Sequence, residues 1–147
     1  MATILGMNAN LYYNTGTYGS PTWTLITNVR DVNLSLDSEE ADVTTRANSG
    51  WKASVVTLRT AQITFQAIYD KADTASQALF DAYLTGAIKE FAVADAAIAT
   101  TGTEYFRAEC YVKGASVSQP LTDAIKHDFT LVPTSTSNGN PQWVTVS

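Results

Sequence analysis

From Leu11 onward, apolar residues recur mostly at every second position and turn residues come at short intervals, the pattern of antiparallel β structure. Leu11, Tyr12 and Tyr13 run into Asn14-Thr15-Gly16. Tyr18-Gly19-Ser20-Pro21 supplies a second turn before Trp23-Thr24-Leu25-Ile26, which predicts a hairpin. Val32, Leu34 and Leu36 alternate with Asn33 and Ser35, so the spacing predicts a strand whose three aliphatic residues face a core. Strand patterning returns over residues 54–58 and 63–69, where Ile63, Phe65, Ala67 and Tyr69 share a face. It recurs over 88–94, 104–113 and 124–132. Within 104–113, Phe106, Ala108, Cys110 and Val112 point one way, and Tyr105, Arg107, Glu109, Tyr111 and Lys113 the other. Within 124–132, Ile125, Phe129 and Leu131 share a face, and Pro133 ends the run.

A single helix is predicted over residues 74–85. Thr74 to Gln77 reads as a capping box, and Gly86 stands where a left-handed C-terminal residue is wanted. Ala75, Leu79, Ala82 and Tyr83, widened by Phe80 and Leu84, form an apolar stripe that would lay the helix on a sheet.

Two segments break the strand pattern. Asp37, Glu39, Glu40 and Asp42 crowd four acids into six residues, and a polar stretch with Arg46, Gly50, Trp51 and Lys52 follows. A long exposed loop or extended hairpin tip over about 37–53 is the expectation. Residues 134–141 have linker composition, and Trp143 and Val144 beyond them read as the apolar end of an arm that docks on something. The fold expected is mainly β: an antiparallel β-sandwich or partial barrel with one flanking helix, a long exposed loop and terminal arms. One domain over 1–133 and a C-terminal arm over 134–147 complete it.

Composition narrows the functions. The chain has 147 residues, 45% hydrophobic and only 16% charged, with nine Lys and Arg against fourteen Asp and Glu for a net charge of −5. That balance argues against a surface built to grip phosphates. One cysteine excludes an internal disulfide and a Cys cluster for structural zinc. No apolar run approaches the roughly 20 residues of a membrane span, and the start Met1-Ala2-Thr3-Ile4-Leu5 has no basic residue, so a soluble, intracellular product without a membrane role is expected. With few charges and twenty-one Thr, the chain either covers itself with hydroxyls and amides or hides surface against its own copies.

Candidate chemistry is thin. His127 is the only histidine, but it is in register with Ile125 and Phe129, and Cys110 with Phe106 and Val112, so both read as packed core residues rather than a nucleophile pair. The acids at 37–42 lack the register of a calcium loop, and no phosphate-binding glycine motif occurs. No catalytic residue, cofactor or metal is expected. Exposed aromatics without a catalytic set argue for protein contacts.

Residues 28–36, the acidic turn, Asp42-Val43-Thr44-Thr45-Arg46 and Gly50-Trp51-Lys52 resemble the tail tube proteins of long-tailed bacteriophages. Gln77-Ala78-Leu79-Phe80-Asp81-Ala82-Tyr83 is similar to the family helix. Gln119-Pro120-Leu121-Thr122-Asp123-Ala124 leading into Asp128-Phe129-Thr130-Leu131-Val132-Pro133 is similar to its closing segment. The resemblance implies a subunit made in the host cytoplasm and incorporated into the virion. Six copies would form a ring, and rings would stack into the tube through which DNA leaves. The implied partners are the chain itself and the tape-measure, tail-tip and tail-terminator proteins, with DNA only as passing cargo. The resemblance also implies that the loop bearing Asp37, Glu39, Glu40, Asp42, Arg46, Gly50, Trp51 and Lys52 reaches a neighbouring ring and that the terminal arms link subunits. Tyr105, Arg107, Glu109, Tyr111 and Lys113 are the candidates for facing the lumen. The alternatives are a tube subunit of a contractile or injection-type machine, which shares the fold, and a small β-sandwich that binds carbohydrate through Trp51 and Tyr residues.

Overall fold

Among the described residues, alternating apolar and polar positions build eight strands: β1 (Asn10–Asn14), β2 (Trp23–Leu25), β3 (Val29–Asp42), β4 (Ser54–Ile68), β5 (Ile88–Ala94), β6 (Glu104–Ser118), β7 (Lys126–Pro133) and β8 (Gln142–Thr145). One helix, α1 (Thr74–Thr85), joins β4 to β5. The computed structural model describes residues 3–147; Met1 and Ala2, the first two residues of the apolar start, lie outside the described residues. The strands form one antiparallel sheet in the order β2-β1-β5-β6-β7-β4-β3, with β8 added to β6, and the sheet does not close.

Strand β6 is the spine. Its residues 105–111 pair with β5 on one edge, while its other edge is shared, β8 taking 104–107 and β7 taking 110–118. A bulge between Val112 and Gly114 inserts Lys113 opposite a single step of β7, so Val112 and then Ala115 face the core on opposite sequence parities. The sheet curls over itself: Leu11 and Phe91 from one half share a cluster with Ile63, Phe65, Phe129 and Leu131 from the other. Phe129 sits at the centre, its ring 5.3 Å from Phe65 and 5.1 Å from Phe80 of the helix.

The helix has the predicted limits, but its cap lies one residue earlier. The Asp73 carboxylate accepts from the Ala75 N–H at 3.0 Å, in place of a capping box begun by Thr74. Gly86 ends it in the left-handed region, φ 72°. Ala75, Leu79 and Ala82 are buried as the stripe predicts, whereas Tyr83 and Leu84 point to solvent.

Three further expectations are corrected. Residues 54–58 and 63–68 are one strand, β4, and Tyr69 lies just past its end. The acids at 37–42 stand in strand β3, because β4 is long enough to pair with them at Asp37↔Thr60, Glu40↔Val56 and Asp42↔Ser54. Of the long loop or extended hairpin tip expected over 37–53, the structure has the hairpin, with residues 43–53 as its turn. Leu36, expected in the core, is 63% exposed, because past Leu34 the β3–β4 ladder leaves the body of the subunit as a free arm. Phe129→Ala should lower unfolding free energy by about 3–5 kcal/mol, whereas Leu36→Ala should cost the isolated subunit under about 0.5 kcal/mol, both read by urea denaturation.

Candidate assembly surfaces

The outer half of the β3–β4 ladder presents Leu36, Val43, Val55, Val56 and Leu58 to solvent, each about half exposed or more. On that arm β4 takes three steps from Arg59 to Val56 while β3 takes two from Ser38 to Glu40. This bulge reverses the parity of β4 and leaves apolar side chains on both faces. Asp37, Glu39, Glu40 and Asp42 interleave with them along β3 and keep a bare apolar ribbon from forming. Thr44 holds the Asp42 carboxyl below the usual carboxylate range through side-chain and backbone hydrogen bonds.

The turn itself is built. Asn48 Oδ1 accepts from the Thr45 N–H at 2.7 Å, Thr44 Oγ1 accepts from Ala53 N–H at 2.7 Å, and a 3-10 turn over Arg46–Asn48 ends at Ser49 in the left-handed region. Gly50 follows at φ 85°, a conformation glycine adopts without strain. These constraints present Trp51, 80% exposed, beside the exposed Arg46 and Lys52. Trp51 therefore caps no core.

The sheet has one polar face. Cross-strand partners share a face, and the rows Asn33–Thr64–Thr130, Ser35–Gln62, Asp37–Thr60 and Gln66–Asp128–Ser116 lie opposite the core rows Leu34–Ile63–Leu131–Val112 and Phe65–Phe129–Ala115. Gln66 Nε2 donates to Asp128 Oδ1 at 3.0 Å. Hydroxyls and amides dominate this face; Asp31, Asp37 and Asp128 stand against Arg30, Lys113 and Lys126, and Lys126 is held by Asp123 at 2.8 Å. Strand β3 pairs only with β4, and residues 112–118 of β6 pair only with β7. Among the described residues this four-stranded portion thus has two unpaired edges.

The five lumen candidates on β6 divide. Tyr111 and Lys113 are exposed on the polar face, lining a cleft with Ser35, Asp37 and Gln62. Tyr105 is buried, stacked edge-on to Trp23 at 6.1 Å and packed in a second small cluster that Val144 joins. Arg107 is drawn down to Glu90, its Nε 3.0 Å from Oε1, while its guanidinium also donates to the Tyr18 carbonyl and lies 4.1 Å over the Tyr18 ring. Burial pushes the Glu90 carboxyl up, and Arg107 and Asn14 offset part of that rise. Glu109 accepts from Thr136 Oγ1 and Asn138 Nδ2. These three are covered because the β1–β2 turn and the C-terminal segment lie over the first half of β6. Trp143 and Val144 belong to β8, paired as Phe106↔Trp143 and Tyr105↔Val144, so the predicted arm docks on its own subunit. Trp143 stays 59% exposed. Alternation alone shows which residues leave the core side of a strand, and carries no sign of what covers the other side.

Cys110 is fully buried, and burial near Glu90 and Glu109 pushes its thiol up, leaving it inert. His127 is buried among Tyr69, Phe80 and Phe129. Among the described residues no group of three or more His, Cys, Asp or Glu is placed to hold a metal ion, and no helix is long and apolar enough to cross a membrane.

Fold and surfaces together define the class: a β protein whose sheet has a polar face, unpaired edges and a projecting arm. The family model described as phage tail tube protein matches residues 7–139, and the chain belongs to that family. No curated protein sequence matches it. Solved structures agree on the fold. The tail of an empty gene transfer agent particle, refined with C6 symmetry, gives a TM-score of 0.74 at 17% identity over 99% of this chain and 100% of that one. The SPP1 tail tube gives 0.76 at 10% identity over 99% and 81%. A chain of the anti-feeding prophage baseplate, sixfold symmetrised, gives 0.66 at 7% identity over 100% and 99%.

Burial lowers the His127 pKa, and neighbouring Asp128 offsets part of the drop. As pH falls through about 6.5, the unfolded chain takes up a proton the folded chain refuses, and stability is lost until the lower folded pKa is passed. His127→Phe should therefore lose less Tm than the parent between pH 7.5 and 5.5, roughly, in parallel thermal melts.

Proposed function

We infer that copies of this phage tail tube subunit join edge to edge into closed rings, that rings stack into a tube, and that the polar sheet face lines its lumen. The observation that carries this reading is the pair of unpaired edges, β3 on one side and residues 112–118 of β6 on the other. Unmet backbone donors and acceptors at both ends of a four-stranded sheet favour a head-to-tail contact, and such a contact generates a ring when its rotation closes. The C6 symmetry of the similar gene transfer agent tail supports six copies.

The polar face suits a conduit. Tight DNA binding is built from many cation–phosphate contacts, each releasing counterions. Here mixed charges are diluted among hydroxyls and amides, so a duplex would meet no continuous basic track as it passes during ejection. Tyr111 and Lys113 keep their candidacy as lumen residues on this face, while Tyr105, Arg107 and Glu109 leave it.

The arm carrying Asp37, Glu39, Glu40 and Asp42 supplies the contact between rings, and the stack ends on tail-tip and tail-terminator proteins around a tape-measure protein. The subunit works as structure, in the virion, without a catalytic step. Similarity to chains of the anti-feeding prophage baseplate and of an extracellular contractile injection system favours, as a second reading, the tube of a contractile machine. A carbohydrate platform finds no support: Trp51 stands at the arm's tip and Tyr111 lines a cleft at its root.

Negative-stain microscopy of the purified chain, alone and with tail-tip partners, should show rings and hollow tubes. Leu58→Asp should give a folded monomer that forms none, and a parent that stays monomeric under all these conditions would contradict the reading.

A further inference from the structure

Strand β4 runs from the arm's tip at Ser54 to Ile68, a span of roughly 45 Å at the rise of an extended strand. At its far end, residues 69–73, the first turns of α1, the end of β6 and the 119–125 connection line an open cleft of about 520 Å³. The cleft and the arm's tip thus stand at opposite ends of one strand, the arrangement head-to-tail stacking requires.

The two ends are chemically matched. The cleft is walled by Tyr69, Phe80, Ile125 and His127, with the rings of Tyr69 and Phe80 each 5.1 Å from His127. His127 is 5% exposed, and its Nδ1, buried behind the cleft wall, has no hydrogen-bond partner. Asp70 and Asp73 outnumber Lys71 along the lining. Residues 43–53 carry Arg46 and Lys52 and no acid, around an indole that offers apolar area and one N–H donor. Burying Trp51, 80% exposed in the isolated subunit, removes the largest aromatic surface left to water on the arm.

We propose that this cleft receives the arm tip of a copy in the adjacent ring, with Trp51 as the aromatic anchor and Arg46 and Lys52 facing Asp70 and Asp73. The inference rests on the ring-stacking reading above and adds the receiving site and its specificity. An aromatic, cationic tip and an aromatic, acidic cleft also enforce polarity: tip against tip would oppose like charges, and cleft against cleft would leave both apolar surfaces wet.

The test pairs Lys52→Cys with Gln119→Cys, a position on the cleft's rim. Within one subunit these residues lie at opposite ends of β4, far beyond disulfide reach, and Cys110 is buried. Mild oxidation of assembled tubes should give a ladder of covalent multimers, while oxidised monomers should give none. In the parent sequence, Trp51→Ala should reduce tube yield by about tenfold or more with Tm unchanged, and Asp70→Lys should restore tubes lost to Lys52→Glu. Tubes that form without the ladder would overturn the cleft as receiving site and leave the tube reading intact. A chain that forms no tubes at all would overturn both.

Discussion

Every buried or strand-bound backbone N–H and C=O needs a partner, and this sheet leaves two rows of them without one. An exposed edge 14 residues long is a standing invitation to uncontrolled pairing. The chain restrains it with acids along the arm, two bulges in the β3–β4 ladder and a lysine-bearing bulge in β6. Closure into a ring would satisfy both rows at once. The polar face, the apolar arm and the tip chemistry acquire a common purpose only under that constraint.

The rest of the subunit holds those edges rigid. Phe129, Phe65 and Phe80 lock the helix onto the four long strands, so the sheet cannot flatten without opening its core. On the other side, Arg107 binds Glu90 and the Tyr18 carbonyl and so staples the β1–β2 turn across β5 and β6. A paired charge at that depth is worth little as net stability, but losing one partner strands the other, which fixes how the turn covers the strand. Strand β8 then fills the part of β6's edge that β7 leaves free. Among the described residues the C-terminal strand thus closes the start of β6's edge, and β6 stays open only where it runs past β5, opposite the free edge of β3.

Much of this was legible along the chain. Period-two alternation located the strands, and Gly86 marked the end of the helix. The parity of Cys110 and His127 placed both in the interior. What local pattern could not carry was context. Leu36 alternates as a core residue does, but it lies on the ladder beyond the body, and only pairing with Ala61 shows that. The acidic run looked like a loop because charge is unusual in strands; the long β4 opposite supplies the ladder that holds it extended. Tyr105 and Arg107 sit on the polar parity of β6, and nothing near them in sequence announces that Trp23, Tyr18 and Val144 arrive from far along the chain to cover them. The motifs that resemble tail tube proteins all lie within residues 7–139, the span over which the family model matches.

The central claim is that β3 and the second half of β6 meet between subunits. Hydrogen–deuterium exchange, read peptide by peptide on monomer and on assembled protein, addresses it directly. The outward amides of residues 30–42 and 112–118 should exchange quickly in the monomer and become strongly protected on assembly, while the β4 and β7 amides of the core stay protected in both. Assemblies in which both edges keep exchanging at the monomer's rate would contradict the account.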